Sequence, residues 1–579
     1  MRPLLLLILI LLISCEKKTA EAEIDFPTPF ETSKGKHTAN YTETIEFYMQ
    51  LAKEFPEINI QTIGETDSGK PLHIVTYNIE GNFNFKKIGT DKTIVLINNG
   101  IHPGESDGID ATMLMYRDLA SGKITAPKKT VLVTIPIYNI GGALNRNSTS
   151  RANQNGPKSY GFRGNARNFD LNRDFIKNDT KNAKTFSQIY HLTNPDIFID
   201  NHVSNGADYQ YTLTHLFTQH DKLGGDLGRY LYETLMPALQ DSLANNNWDI
   251  TPYVNVFNQP PEVGFDQFMD HPRYSTGYTT LWNTFGLMVE THMLKPYKKR
   301  VEGTYELMKK VMAIAELEGA TIKTLRKKAF KRHEDWKYYP TSWKIDTTRA
   351  SILNFKGFRA DTVTSKVTGL PRLKYDKDKP FTEEVTYYDH YIPSDSVKIP
   401  KAYIIKKPWS KVIELLELNN IRYKIIKKDT LIPVESYKIK DFDTSKNAYE
   451  GHYVHSNTTV DRNQKEMIFN PEDILVPTDQ AGFRYIMETL EPQAMDSFFN
   501  WNFFDSILQQ KEGFSPYVFE DTALRLLEND SLLKHEFLKK KKDELQFSKN
   551  WYAQLDWLYK KSAHYETAHL QYPIYRIAK

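Results

Sequence analysis

The sequence predicts an α/β protein in its first half, a sheet covered by helices on both faces, followed by a mixed α+β C-terminal region. Three observations carry this. The strand candidates "KTIVLIN", "KTVLVTIPIYN", "PDIFIDNH" and "FGLMVETHM" are continuous apolar runs, as expected of strands buried on both faces. Helix-like segments alternate with them, which is the pattern of α/β architecture. Beyond about Trp336 the chain changes to Tyr-, Lys- and Thr-rich short strand-like runs.

In chain order, "MRPLLLLILILLIS" (1–14) is one Arg followed by an apolar run too short for a comfortable membrane span, which reads as a secretory signal. Leu12-Ile13-Ser14-Cys15 resembles a bacterial lipobox, so residues 1–15 are expected to be a lipoprotein signal with Cys15 the lipidated residue. The chain is then expected to be extracytoplasmic and lipid-anchored to a bacterial membrane. Residues 16–40 are polar and aperiodic and are expected to tether rather than fold. Cys15 is the only cysteine, so no disulfide and no sulfur ligand is available to the folded part. A zinc site here would have to use His, Asp and Glu.

The folded part starts at Tyr41. In "YTETIEFYMQLAKEFP" the apolar residues Ile45, Tyr48, Met49 and Leu51 recur at helical spacing, and Pro56 closes the segment. The strand candidate "PLHIVTYNI" follows, then the apolar runs above, with helices expected over Asp107 to Ala120, Lys181 to Leu192 and Lys222 to Ala244. A unit boundary is placed between Lys331 and Pro340, giving units 41–330 and 336–579, the second with a subdivision near 478. The strand-like "SILNFKGF", "KAYIIKK" and "IRYKIIKK" belong to the second unit, with the helix "PWSKVIELLELNN" between the last two. The formal net charge of +3 over 579 residues, and a lysine run confined to "KHEFLKKKKDEL", give no sign of a nucleic-acid partner.

The most informative stretch is "VLINNGIHPGESDGIDATMLMYRDL", where a buried strand stops at Asn98-Asn99-Gly100 and His102 and Glu105 follow before a helix. Hydrolytic zinc needs protein ligands on one side and an open position on the other. His102 and Glu105, in a turn after a strand, can point the same way, although a His-x-x-Glu spacing by itself is close to chance. "NPDIFIDNHVSNG" delivers His202 at another strand end, where open α/β sheets build their sites. Between the histidines lie Arg146, Arg151, Arg163, Arg167 and Arg173, either a solvated loop or a set of guanidinium forks for a carboxylate. In "FGLMVETHM" a buried apolar run ends on Glu290, which is either an ion-pair member or a general base. His452 and His455 in "YEGHYVHS" have no nearby carboxylate and read as a surface strand, and the aromatic cluster from Phe498 to Phe504 reads as core.

Taken together, His102-x-x-Glu105, Arg151, Asp170-Leu171-Asn172-Arg173, His202 and Glu290, in this order and at these separations, resemble the zinc carboxypeptidase family over about Tyr41 to Leu317. The family more often has Asn where this chain has Asp174. The resemblance implies a mixed eight-stranded sheet and one zinc per chain, held by His102, Glu105 and His202. It implies that Asp170 orients His102, that Arg151 stabilises the oxyanion and that Asn172 and Arg173 bind a peptide's terminal carboxylate. Glu290 would be the base, and Tyr274 or Tyr278 would close over the substrate, with Tyr274 slightly preferred.

The implied function is a zinc metallocarboxypeptidase acting on peptides. The alternatives are an amidohydrolase of the same fold acting on peptidoglycan stem peptides or N-acyl amino acids, and a non-catalytic peptide-binding lipoprotein. The family places its side-chain selectivity between the closing tyrosine and the base, and from His271 to Val289 this chain has no Asp or Glu. Thr279, Thr280, Leu281, Trp282 and Phe285 stand there instead, so a neutral or apolar terminal residue is expected, with an acidic one if Arg273 faces the pocket.

Overall fold

The computed structural model describes residues 26–579; the leader, Cys15 and the first part of the expected tether lie outside the described residues. The first unit is built on eight strands: β1 (Ile58–Glu65), β2 (Pro71–Tyr77), β3 (Thr93–Asn98), β4 (Thr130–Ile135), β5 (Ile197–Ser204), β6 (Leu213–Phe217), β7 (Ile250–Pro252) and β9 (Phe285–His292), with the two-residue β8 (Phe265–Asp266) lying outside that sheet. Their order is β1-β2-β4-β3-β5-β9-β6-β7. The central strands β4, β3, β5 and β9 run parallel, and β2 and β6 pair antiparallel to β4 and β9. This is the mixed α/β sheet expected.

Side chains alternate across the sheet, so each apolar run feeds two cores. Val95 and Ile97 pack with Leu51, Tyr116 and Leu119 and with Leu307, Val311 and Ala315 of the long helix Tyr297–Lys331. Ile94 and Leu96 face the other way, onto Phe186, Ile189 and Tyr190 of the helix Lys181–Thr193. Continuous hydrophobicity in β3 to β5 is therefore required by burial on both faces. The helix expected over Lys222 to Ala244 is broken at its start, because Gly224 and Gly225 both take positive φ (66° and 59°) and divide it into pieces.

Residues 26–40 correct the expected tether. Thr28 caps the short helix Pro29–Thr32 in a reciprocal capping box with Glu31, Phe30 packs edge-on to Tyr297, and Glu31 pairs with Arg117. That segment is folded onto the first unit from Phe26 onward. Its polar composition hid two anchors, one apolar and one ionic.

The C-terminal region adds β10 (Tyr338–Ile345), β11 (Ser351–Thr364), β12 (Pro371–Tyr388), β13 (Tyr391–Lys398), β14 (Ala402–Ile405), β15 (Lys424–Ile425), β16 (Thr430–Thr444), β17 (His455–Phe469), β18 (Ile474–Pro477) and β19 (Gln571–Ile577). Six of these form a second sheet in the order β15-β18-β14-β19-β16-β17. The last strand, β19, inserts between β14 and β16, so the mostly helical stretch after 478 is an excursion from one sheet. β18 and β19, on either side of that stretch, share one core, while the helices between Pro516 and Lys561 keep a small core of their own around Phe519, Phe537, Phe547 and Leu558.

The first unit and the C-terminal region also share a core. Tyr278 and Trp282 pack in one cluster with Phe483, Tyr485 and Trp501, and β8 of the first unit pairs in parallel with the end of β12. Among the described residues no helix is long and apolar enough to cross a membrane.

Candidate metal and peptide site

The site forms where the parallel strands end. β3 stops because Gly100 turns at φ 63°, and a Cβ there would sit 3.2 Å from Ile109. His102 follows, and Gly104 lets Arg151 approach, since a Cβ at 104 would lie 2.6 Å from the Arg151 Cδ. The next strand, β5, carries His202 directly opposite Glu290 of β9 in the parallel register, so the two side chains rise on the same side of the sheet.

His102 and His202 present the same ring atom. His102 Nδ1 is 3.4 Å from Glu105 Oε1, and His202 Nδ1 is 3.1 Å from Glu105 Oε2. Each other ring nitrogen is held by a carboxylate: His102 Nε2 lies 2.8 Å from Asp170 Oδ1, and His202 Nε2 lies 2.8 Å from Asp200 Oδ2. A carboxylate behind an imidazole keeps the proton on Nε2 and leaves the Nδ1 lone pair free for a metal. The ligand atoms of His102, Glu105 and His202 all lie within 4.8 Å of one another, and all three side chains are buried.

This donor set fits zinc. Two imidazoles and one carboxylate are a hydrolytic zinc set, and bonds of about 2.0–2.2 Å place neighbouring ligands roughly 3.3 Å apart. Glu290 supplies a second test, because its buried Oε2 has no hydrogen-bond partner among the described residues. Such an atom is costly unless it meets a water, substrate or ion.

The electrostatics agree with the geometry. Burial alone would raise the Glu105 carboxyl, but the Arg151 and His102 charges hold it well below the usual carboxylate range. Burial would lower His202, yet Asp200 and Glu105 hold it well above its ordinary value, so a cation arriving at Nδ1 displaces a proton. Glu290 is pushed up to about 8, chiefly by burial, with Glu105 and Asp200 adding to it and His202 opposing.

Around these groups is a cleft of about 520 Å³. Arg151, Asn172, Arg173 and Tyr274 line it with His102, Glu105, His202 and Glu290. Arg151 leans on the metal set, donating from Nη1 to Glu105 Oε1 at 2.9 Å. Asn172 Oδ1 accepts from the Ser275 N–H at 3.2 Å, which fixes its amide, and the Arg173 guanidinium stacks 4.7 Å over the Tyr274 ring.

Asp170 is gripped from three sides: by His102, by Arg163 donating from Nε (2.9 Å) and Nη2 (2.7 Å) to Oδ2, and at its backbone N–H by Glu450 Oε2 (2.8 Å). Asp174, the departure from the family pattern, is fully buried and accepts from Lys177, Thr180 and the backbone, away from the cleft.

Tyr278 is the clear correction among the site residues. It is fully buried and donates to Asn419 Oδ1 at 2.7 Å, so it belongs to the core shared with the C-terminal region. Thr279, Thr280, Leu281, Trp282 and Phe285 are likewise buried and do not line the cleft. Arg273 does not face it either: its Nη2 pairs with the fully buried Asp496 at 2.7 Å, which removes the basis for an acidic terminal residue. The apolar wall is instead Leu216, Phe268 and Met288, with Tyr253 beside them.

Sequence reasoning missed these four and also Asp200. Asp200 and Met288 had a legible signal, since each lies two residues before a site residue on the same strand face. Leu216, Tyr253 and Phe268 come from segments with no distinguishing pattern. His452 bonds to Asp179 (2.6 Å) and His455 to Asp505 (3.0 Å).

Residues 44–222 match the family model described as Zinc carboxypeptidase. Carboxypeptidase 2 of Trichophyton rubrum is 23% identical over 440 residues, covering 70% of this chain and 73% of that protein. Carboxypeptidase 2 of Trichophyton equinum is 22% identical over 447 residues, 71% and 74% of the two chains. Among solved structures, a metallo-carboxypeptidase from Burkholderia cenocepacia aligns over 48% of this chain and 69% of its own, with TM-score 0.36 and 13% identity. One from Pseudomonas aeruginosa aligns over the same shares with TM-score 0.36 and 10% identity. The matched segment carries His102, Glu105, Arg151, Asn172, Arg173 and His202, which line one cleft, and over those residues this chain is similar to the zinc carboxypeptidase family.

Proposed function

We propose that this metallopeptidase removes neutral or apolar residues from the carboxyl ends of peptides, outside the cytoplasm. The observation that carries the reading is the placing of the His102–Glu105–His202 set, the unpartnered Glu290 carboxylate and the Asn172–Arg173 pair in one cleft. Bound zinc would supply a Lewis acid that polarises a carbonyl and acidifies water.

The chain's own groups do the rest. Asn172 and the Arg173 guanidinium offer an amide and a fork of N–H donors to a terminal carboxylate, and Tyr274 beside Arg173 is placed to cover it. Glu290, two residues before the end of a buried strand, takes a proton from attacking water and returns it to the leaving amine. Arg151 is placed to donate to oxygen charge that develops at the carbonyl.

The terminal side chain meets Leu216, Phe268 and Met288, while among the described residues the carboxylates lining the cleft are Glu105 and Glu290, both committed to the site. A buried cationic side chain would lack a partner at a cost of about 1–3 kcal/mol or more. Peptides differing only in terminal Phe, Glu or Lys test this, and the proposal fails if the Lys peptide is hydrolysed fastest. Glu290→Gln should keep its zinc while turnover falls by about 10²- to 10⁴-fold; near-normal turnover would make Glu290 merely structural.

The extracytoplasmic, lipid-anchored placing rests on 1–15 of the sequence. Incorporation of a fatty-acid analogue into the wild type and not into Cys15→Ser supports it, and unlabelled wild type removes it.

A further inference from the structure

We propose a second zinc site, formed by His220 and Asp221 of the first unit and His390 of the C-terminal region, that clamps the two together. His220 and Asp221 open the short helix after β6, and His390 sits in the turn between β12 and β13. His220 Nε2 and His390 Nδ1 are 3.1 Å apart, and Asp221 Oδ2 is 3.4 Å from the first and 3.2 Å from the second. Both histidines are buried, and the Asp221 side chain is only 24% exposed. The catalytic cleft uses none of the three.

Hydrogen bonds alone serve this triangle poorly. Each imidazole nitrogen carries one proton or one lone pair, and the carboxylate carries only lone pairs. If both nitrogens donate to Asp221, two N–H groups face each other across 3.1 Å. If His390 Nδ1–H is instead shared between His220 Nε2 and Asp221 Oδ2, one proton is split between two acceptors at 3.1 and 3.2 Å and His220 brings none to the carboxylate. One cation satisfies all three edges, and bonds of about 2.0–2.1 Å to tetrahedral zinc set neighbouring ligands roughly 3.3 Å apart.

The surroundings fit an ion as well. Tyr232 stacks on the His220 ring at 4.2 Å, and Tyr391 donates its backbone N–H to Asp221 Oδ2 at 2.8 Å, fixing both ligands. Asp389 Oδ1 lies 3.9 Å from His390 Nε2 and has no hydrogen-bond partner among the described residues, the position of a carboxylate behind a metal-bound histidine. Gln219 bonds to the Asp389 carbonyl at 2.8 Å, so the same contact already joins the two parts of the chain.

Elemental analysis of the full chain loaded with zinc and desalted tests the proposal, with circular dichroism as the folding control. Wild type should hold two zinc ions per chain. His390→Gln and the nearly isosteric Asp221→Asn should each hold one, as should His202→Ala, which loses the other ion. Zinc should raise the melting temperature of His202→Ala and not of the His202→Ala/Asp221→Asn double variant. One ion in wild type that persists in both His390→Gln and Asp221→Asn overturns the second site. One ion that persists in His202→Ala and vanishes in Asp221→Asn supports it and overturns the catalytic metal assignment instead.

Discussion

Asp200→Asn tests the metal set through a residue that never touches the metal. Asp200 is fully buried, accepts from His202 Nε2 at 2.8 Å through Oδ2, and accepts from Asn98 Nδ2 at 2.9 Å through Oδ1. An Asn at 200 has one acceptor and one donor for two incoming N–H groups. If its amide nitrogen faces His202, the imidazole must move its proton to Nδ1, the atom aimed at Glu105, and the metal loses a ligand lone pair. If its oxygen faces His202, Asn98 must flip, exchanging its currently unpartnered Oδ1 for an unpartnered amide nitrogen. The imidazole then keeps its tautomer but loses the negative charge behind it. Loss of such an outer partner lowers metal affinity by about 10- to 100-fold, or roughly 1.4–2.7 kcal/mol. The flip predicts the lower end and the tautomer change the upper. Zinc competition against a chelator of known affinity measures this, and excess zinc should restore hydrolysis. A zinc affinity within twofold of wild type would refute the claim that Asp200 sets the His202 tautomer.

The two tyrosines should separate cleanly. Tyr278→Phe loses the bond to Asn419 and should cost about 1 kcal/mol in denaturant unfolding with unchanged kinetics, whereas Tyr274→Phe should alter kcat or KM with unchanged stability; the reverse pattern would return Tyr278 to the site. Asp110 gives a pH test, since burial, opposed by its bonds from Tyr297 and the Ala39 N–H, pushes its carboxyl up to about 7. The folded state therefore holds a proton that the unfolded chain releases above about pH 3.9. This group's effect on stability is absent below that value and becomes increasingly unfavourable up to about pH 7. Asp110→Asn removes the effect, so its stability relative to wild type should rise across that window by up to about 1.4 kcal/mol per pH unit. Parallel stability curves for the two proteins would refute it.

The first unit was legible because its signals are local. Period-2 burial on both faces gives unbroken apolar runs, and each run gives way to polar residues at the site: β3 stops at Asn98 before the His102 turn, while β5 and β9 carry His202 and Glu290 two residues before their ends at Ser204 and His292. The resemblance added the roles of Arg151, Asn172 and Arg173. What stayed hidden depends on contacts between distant segments. Tyr274 and Tyr278 differ by about one helical turn, and nothing local says which faces the cleft; the core from Phe483 to Trp501 settles it by covering Tyr278. The expected selectivity residues were misplaced for the same reason, because Trp282 packs against Tyr485 rather than the substrate.

That core changes what the C-terminal region is for. The Asp170–Arg173 segment has almost no regular structure of its own, only the single turn Leu171–Arg173, yet it must hold His102 and present Asn172 and Arg173. Glu450 of the C-terminal region reaches the Asp170 N–H, Gly451 lets the chain lie against Phe169, and His452 bonds to Asp179. Glu450 itself sits at φ 50°, a conformation costly for a residue with a Cβ and held only where its surroundings fix it. A surface strand, the sequence reading of "YEGHYVHS", would not need that. Among the described residues the cleft is lined by the first unit alone, and the residues after Trp336 brace from behind the turn that carries Asn172 and Arg173.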